Sequence, residues 1–360
     1  MNVDVLIVGL GPAGASAAAL AAQAGARVLA VDKRATPGQP VQCAEFVPAA
    51  LAAQTGAVRA AAVQEIAAME TYLTDDPLRS ADFRGVMIDR AHFDAALVDQ
   101  ARAAGAEIAF GLAVTGFDAA GAVHLADGRR ITPRVVIGAD GPHSRIGRAV
   151  GLVNRDLCEA RQITVPLRVA HDATDIFLAP EIVGGYGWLF PRGDHANLGV
   201  GVAHVARDSL KPLLEQLHDE LMAEGRVGAQ ASRLTGGTIP VGGLVGPVAR
   251  RGAASVLLAG DAAGLTHPIT GAGIATAVLS GRMAGEAGAQ IAAGQAQAAE
   301  DYAEDIEDLF GPSLTLAVRR RAELMAHYAA GRRPDLAALR RAWIAWPEYR
   351  TDPTGVEEPA

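Results

Sequence analysis

The chain has 360 residues, half of them apolar and a fifth charged, with a formal net charge of -8. That composition is globular, the length allows two hydrophobic cores, and the acidity argues against nucleic acid as a partner, because phosphate binding needs a basic patch. The two cysteines, Cys43 and Cys158, cannot form a disulfide scaffold or hold zinc or an iron–sulfur cluster, so no metal is expected and a reducing cytoplasm is the expected compartment.

Residues 3–8 are a short β-branched apolar run, which predicts a strand buried on both faces. Gly9-Leu10-Gly11-Pro12-Ala13-Gly14 then opens an alanine-rich helix to about Ala24, Gly25 ends it, and residues 27–32 read as a second buried strand. The whole stretch is expected to be neither a signal peptide nor a membrane span, since it lacks a basic leader and includes repeated glycines, Gln23 and Arg27. A helix is predicted over 90–105, short strands through Phe117, His124 and Arg130, and a buried strand ending in a turn over 134–141. Residues 161–202 alternate strand and turn, with a hairpin at 184–202. An amphipathic helix at 208–224, a buried strand at 255–264 and a small-residue helix at 271–293 follow. From Glu300 the chain reads as charged helix, and the end after Trp346 is expected to fray.

The spacing of the first motif carries a mechanism. Gly9 allows a tight turn, Gly11 lets backbone approach a pyrophosphate, and Gly14 lets helix and strand touch. Pro12 and Ala13 begin the helix, whose free N–H groups and dipole attract phosphate. Asp32, with Lys33 beside it, ends the second strand where a carboxylate takes ribose hydroxyls.

Two further segments narrow the cofactor. "GADGPHSRIGRAVGL", residues 138–152, carries Asp140 after a strand, and "LLAGDAAGLTHPITGAGIATAVLSG", residues 257–281, carries Asp261 and Gly271-Ala272-Gly273 before a helix. Together these motifs resemble the FAD-dependent enzymes of the p-hydroxybenzoate hydroxylase fold. The resemblance implies an α/β protein: an FAD-binding Rossmann-like domain from 1–65, 90–158 and 250–293, and a second, mostly antiparallel sheet domain from 66–89 and 159–249. A helical region, 294–360, ends the chain. It also implies that Asp140 lies near FAD and that Asp261 meets the ribityl chain.

"YGWLFPRGDHANLGVGV", residues 186–202, resembles the Y-x-W-x-F-P signature of the geranylgeranyl reductase family, although Val183 stands where that family has proline. In the same family a Cys-x-Glu element faces the flavin and the substrate; here it is Cys43-Ala44-Glu45, without the neighbouring glycines. The resemblance implies reduction of double bonds in an apolar, isoprenoid-like substrate. Such a reaction needs a proton donor, for which Cys43 and Glu45 are the ionisable candidates, and an apolar pocket, for which Tyr186, Trp188 and Phe190 are candidates. No second G-x-G-x-x-G follows a strand, so the reductant is NAD(P)H docking transiently, an electron-donor protein or a reduced carrier. The same motifs serve FAD-dependent monooxygenases and flavin electron-transfer proteins that feed a quinone, which are the rival readings. A lipid substrate implies peripheral membrane contact, and residues 309–328 with Arg319, Arg320 and Arg321 are either a basic amphipathic surface helix or a solvated face.

Overall fold

Uninterrupted apolar runs become the central strands of a six-stranded sheet. In the computed structural model, which describes residues 3–74 and 76–351, Val5–Val8, Val28–Asp32, Val135–Gly138 and Ala254–Leu258 are buried along their whole length, as strands covered on both faces must be. The order across the sheet is Val248–Arg251, Ala254–Leu258, Val135–Gly138, Val5–Val8, Val28–Asp32, Glu107–Phe110. All pairings are parallel except that of the edge strand Val248–Arg251. Parts of the chain far apart in sequence thus build one sheet, giving the α/β fold expected.

The first helix is Pro12–Gln23 and the small-residue helix is Ile274–Ala292. Their backbones touch because the second lacks side chains at the contact: a Cβ at Gly281 would lie 2.2 Å from Ala13 O, and one at Gly285 2.4 Å from Ala17 O. Since 13 and 17 meet 281 and 285 in turn, the helices run parallel. Their N-terminal ends therefore point the same way.

A seven-stranded sheet forms the second layer, in the order Ser232–Pro240, Leu157–Pro166, His195–Ala203, Tyr186–Arg192, Ala173–Phe177, Ala68–Tyr72, Leu78–Ser80. Only Ala173–Phe177 with Ala68–Tyr72 is parallel. The helix Leu210–Ala223 covers one face through Leu214, Leu217 and Leu221, which meet Leu189, Leu198 and Val200. The opposite face carries Tyr186, Trp188 and Phe190. A third, small sheet of Phe46–Pro48, Gly85–Ile88 and Ala62–Ile66 was not among the predicted elements.

Of the three consecutive arginines of the long helix Ala298–Ala329, only Arg319 is exposed. Arg320 and Arg321 are buried: Arg320 donates to Tyr349 O and Thr351 O, both at 2.7 Å, and Arg321 to Gly184 O at 2.6 Å. The two Arg320 bonds hold down the segment after Trp346 that was expected to fray, and Tyr349 is buried within the 3-10 turn Pro347–Tyr349. Residues 352–360 of the C-terminal region lie outside the described residues. Among the described residues no helix is long and apolar enough to cross a membrane.

Candidate active site

The two parallel helices begin without side-chain caps or acidic residues in their first turns, at Gly11 and at Gly273. The first amides of each helix have no intrahelical acceptor, so both ends favour an anion or an electron-rich carbonyl edge. Gly9 holds φ +96, and a Cβ there would strike Ala139 O at 2.2 Å. A Cβ at Gly14 would lie 1.8 Å from Gly9 O, whereas at Gly11 the nearest atom, Arg34 Nη2, is 3.8 Å away. Gly9 and Gly14 are small because protein fills the space, and Gly11 because space is left. That open strip beside free amides fits a pyrophosphate.

Three aspartates were expected at this site, and their oxygens are differently committed. Asp32 accepts from the Leu10 amide and from the Arg34 amide and guanidinium, at 2.7–2.8 Å for the shortest contacts. Burial would raise its pKa, but Arg34 outweighs burial and holds it below the usual range. Lys33 is exposed, and its neighbour Arg34 makes the pairing instead. Asp140 accepts from Ser144 Oγ at 2.5 Å and from the Arg145 and Ile146 amides, so it braces the start of the short helix Arg145–Ala149. Asp261 accepts at Oδ1 from Thr266 Oγ1 at 2.6 Å, while among the described residues its Oδ2 has no partner. Burial pushes the Asp261 carboxyl up, against the Thr266 hydroxyl and the Arg90 charge. Of the three, Asp261 keeps an acceptor oxygen free for a hydroxyl-bearing ligand. Gly273 must be small here too, since a Cβ would lie 2.7 Å from Thr266 Oγ1. Gly271 and Ala272 close the turn through His267, whose carbonyl accepts from the Gly271 amide at 2.9 Å and whose amide donates to Ala272 O at 3.0 Å.

Cys43 and Glu45 face different surroundings. Cys43 is half-buried, its Sγ accepts from the Glu45 amide at 3.2 Å, and the Arg90 guanidinium interacts with it. Glu45 is buried at φ +71, a left-handed conformation that side chains other than glycine adopt at a cost. Its Oε1 accepts from the Arg90 amide at 3.0 Å, its Oε2 from Asn197 Nδ2 at 3.3 Å, and Arg192 lies 3.6 Å away. Glu45 is thus a clamped carboxylate; the thiol is the less committed group.

The aromatic residues line up on the sheet face above this loop. Trp188 pairs in register with Gly199, and Gly199 with Gln162. The indole lies across Gly199, where a Cβ would be 2.2 Å from the ring, and donates to Gln162 Oε1 at 3.1 Å. Gln162 Nε2 in turn donates to Cys43 O at 3.2 Å. Tyr186 OH donates to Thr270 O at 2.5 Å on the Gly271 turn, and burial pushes its phenol up. Phe190 meets Phe46 edge-on at 6.1 Å. Cys43, Glu45, Tyr186, Trp188, Phe190 and the Asp261–Gly273 turn are therefore tied together by direct contacts.

Several participants escaped the sequence reading. Arg34 and Arg90 come one or two residues after an aspartate at or just past a strand end, and Asn197 is a polar residue within the apolar run 196–203, signals that could have found them; Gln162 lies among other polar residues of its strand and carries no such signal. His267 is a further participant: its Nδ1 accepts from the Ile269 and Thr270 amides at 3.3 and 3.2 Å, so its Nε2 carries the proton, and burial lowers its pKa to about 4. On the far sheet face Glu70, His171 and Asp175 converge within 4.8 Å, but Asp175 is taken up by His171 at 2.7 Å and by Arg226.

Comparison with known proteins identifies the family. The FAD binding domain family model matches residues 2–176. Digeranylgeranylglycerophospholipid reductases 2 and 1 of Methanopyrus kandleri are 35% and 38% identical over 291 and 293 residues, covering 73% of this chain in each case and 71% and 74% of theirs. The crystal structure of a geranylgeranyl bacteriochlorophyll reductase-like protein of Thermoplasma acidophilum superposes with a TM-score of 0.79 at 27% identity, covering 90% of this chain and 88% of that one. PqsL of Pseudomonas aeruginosa, a probable FAD-dependent monooxygenase, shares the fold at 22% identity, with a TM-score of 0.70 over 91% of this chain and 96% of that one. The chain belongs to the geranylgeranyl reductase family of FAD-dependent oxidoreductases.

Proposed function

We propose that this enzyme reduces isolated carbon–carbon double bonds in an apolar, isoprenoid-type chain. The observation that carries the reading is the bonded ring of elements around the site: Cys43 O to Gln162, Gln162 to Trp188, and Tyr186 to Thr270 beside the Gly271 turn. A proton source, an apolar aromatic wall and a cofactor-facing turn are held by these hydrogen bonds and by the edge contact between Tyr186 and Trp188. The Methanopyrus relatives are named for a substrate bearing geranylgeranyl chains, which is the substrate class the aromatic wall suits.

FAD, when bound, supplies the electron pair as hydride to one alkene carbon. Gly11, with Pro12 and Ala13 at the start of the first helix, would meet its pyrophosphate while Gly9 and Gly14 keep the turn tight, Asp261 would take a ribityl hydroxyl, and the Gly271-Ala272-Gly273 turn would lie beside the ring. Asp32 and Asp140 shape the turns around it. The second alkene carbon needs a proton, and Cys43 gives it. The sulfur that remains lies beside the Arg90 guanidinium, and solvent returns its proton. Glu45 holds the loop through Arg90 and Asn197. Electrons come from NAD(P)H or a donor protein, and a lipid substrate brings the protein to a membrane surface at least transiently.

Anaerobic turnover tests the reading: with a reductant and an isoprenoid alcohol, a reductase consumes the reductant without oxygen. A protein that turns over only when oxygen is admitted is a monooxygenase, and the reading fails.

A further inference from the structure

The segment after the long helix returns to the aromatic face of the second sheet. Trp343 is 3% exposed and meets Tyr186 edge-on, with ring centroids 4.9 Å apart at 63°. It joins the cluster that contains Trp188, Phe190 and, from the cysteine loop, Ala44 and Phe46. The segment is fixed on both sides of the contact. Arg341 pairs with Glu323 at 2.8 Å and donates to Thr351 O at 2.7 Å, Arg320 holds Tyr349 O, and Tyr349 OH lies 3.5 Å from His267 Nε2. Trp343 is thus a docked wall residue.

One donor in that wall is unspent. Tyr186 OH is used by Thr270 O and Trp188 Nε1 by Gln162, but Trp343 Nε1 is fully buried with no acceptor among the described residues. A buried N–H without a partner is costly, and native structures rarely leave one. An acceptor delivered by a ligand removes that cost.

We propose that Trp343 closes the substrate pocket and that its indole N–H binds an acceptor oxygen at the polar end of the substrate. This rests on the isoprenoid reading above and makes it more specific: the ligand is an apolar chain ending in a hydroxyl, ether or ester oxygen. Anchoring that end at the C-terminal segment fixes which double bonds reach the cofactor, so Trp343 is a specificity-determining residue.

The test uses the FAD-loaded protein, with geranylgeraniol as the oxygen-bearing probe and squalene as a hydrocarbon of the same alkene type. Binding is followed by quenching of flavin fluorescence, and the three tryptophan indoles by nitrogen-15 spectra, with Trp343→Phe identifying the Trp343 signal. The proposal expects geranylgeraniol to move the Trp343 indole signal and squalene to leave it in place. Trp343→Phe, which keeps a ring but no N–H, is expected to weaken geranylgeraniol binding about fivefold, the worth of one net hydrogen bond, without weakening squalene. Equal affinity of Trp343→Phe and wild type for geranylgeraniol, or an indole signal unmoved at saturation, overturns the proposal alone. If the variant loses its flavin, the wild-type indole shift decides. If neither probe binds the wild-type protein, the isoprenoid reading falls and takes the proposal with it.

Discussion

Trp188 and Gln162 are hydrogen-bonded across an intervening strand, the indole passing over Gly199 to reach the amide oxygen at 3.1 Å. The contact exists because Gly199, paired in register with both residues, offers no side chain. It couples the aromatic wall to the cysteine loop, since the same amide donates to Cys43 O.

Gly199→Ala is expected to displace the indole, because a Cβ would lie 2.2 Å from the ring. Overpacking of this kind costs about 1–3 kcal/mol, read as a lower denaturation midpoint. Gln162→Glu keeps an acceptor for Trp188 but buries a carboxyl and removes the donor to Cys43, so stability should fall too, while turnover should fall more than in a Gly199→Ala variant of equal denaturation midpoint. The pair of measurements separates packing from loop positioning.

Cys43→Ala is expected to retain bound FAD while turnover drops about 100-fold, a typical worth of a positioned general acid. Flavin content and single-turnover rates check this. Normal turnover in the variant would remove the thiol from the reaction.

The aspartates should behave differently from one another. Asp261→Ala removes the one carboxylate with an oxygen free for ligand, so FAD affinity should fall sharply in equilibrium dialysis. Asp140→Ala removes three bonds that hold a helix start. It should mainly lower stability, by about 1–3 kcal/mol, with a smaller effect on FAD affinity.

His267 predicts an acid-side loss of stability. Burial lowers its pKa from 6.5 to about 4 in the folded protein, so the unfolded chain takes up the proton first as pH falls. This contribution is intact above pH 6.5 and erodes by about 3 kcal/mol as pH drops through the folded value. His267→Asn, which keeps an acceptor for the Ile269 and Thr270 amides, should flatten that part of the stability–pH curve in denaturant titrations.

Much of the fold could be read from the chain because strands such as Val135–Gly138 are unbroken apolar runs and the glycine motif sits between strand and helix. The hairpin of Tyr186–Arg192 with His195–Ala203 was equally legible from alternation and its Gly-Asp turn. The small sheet around Phe46–Pro48 was not, because three-residue strands carry no periodicity and their partners lie some forty residues away. Gln162 is an ordinary polar residue until the register sets it beside Gly199. Nor does the chain announce that Glu45 is left-handed, that Arg34 folds back on Asp32, or that Trp343 returns to the pocket; each depends on tertiary contacts. The three aspartates expected at the cofactor all lie at or just after strands of the parallel sheet, but only their hydrogen bonds separate Asp261 from Asp32 and Asp140.

The central claim is tested most directly by incubating the FAD-loaded, dithionite-reduced protein with geranylgeraniol under strict anaerobiosis and weighing the product by mass spectrometry. Double-bond reduction gives a product heavier by one pair of hydrogens for each double bond reduced. Substrate left unchanged without oxygen, and carrying a new oxygen atom once air is admitted, would contradict it.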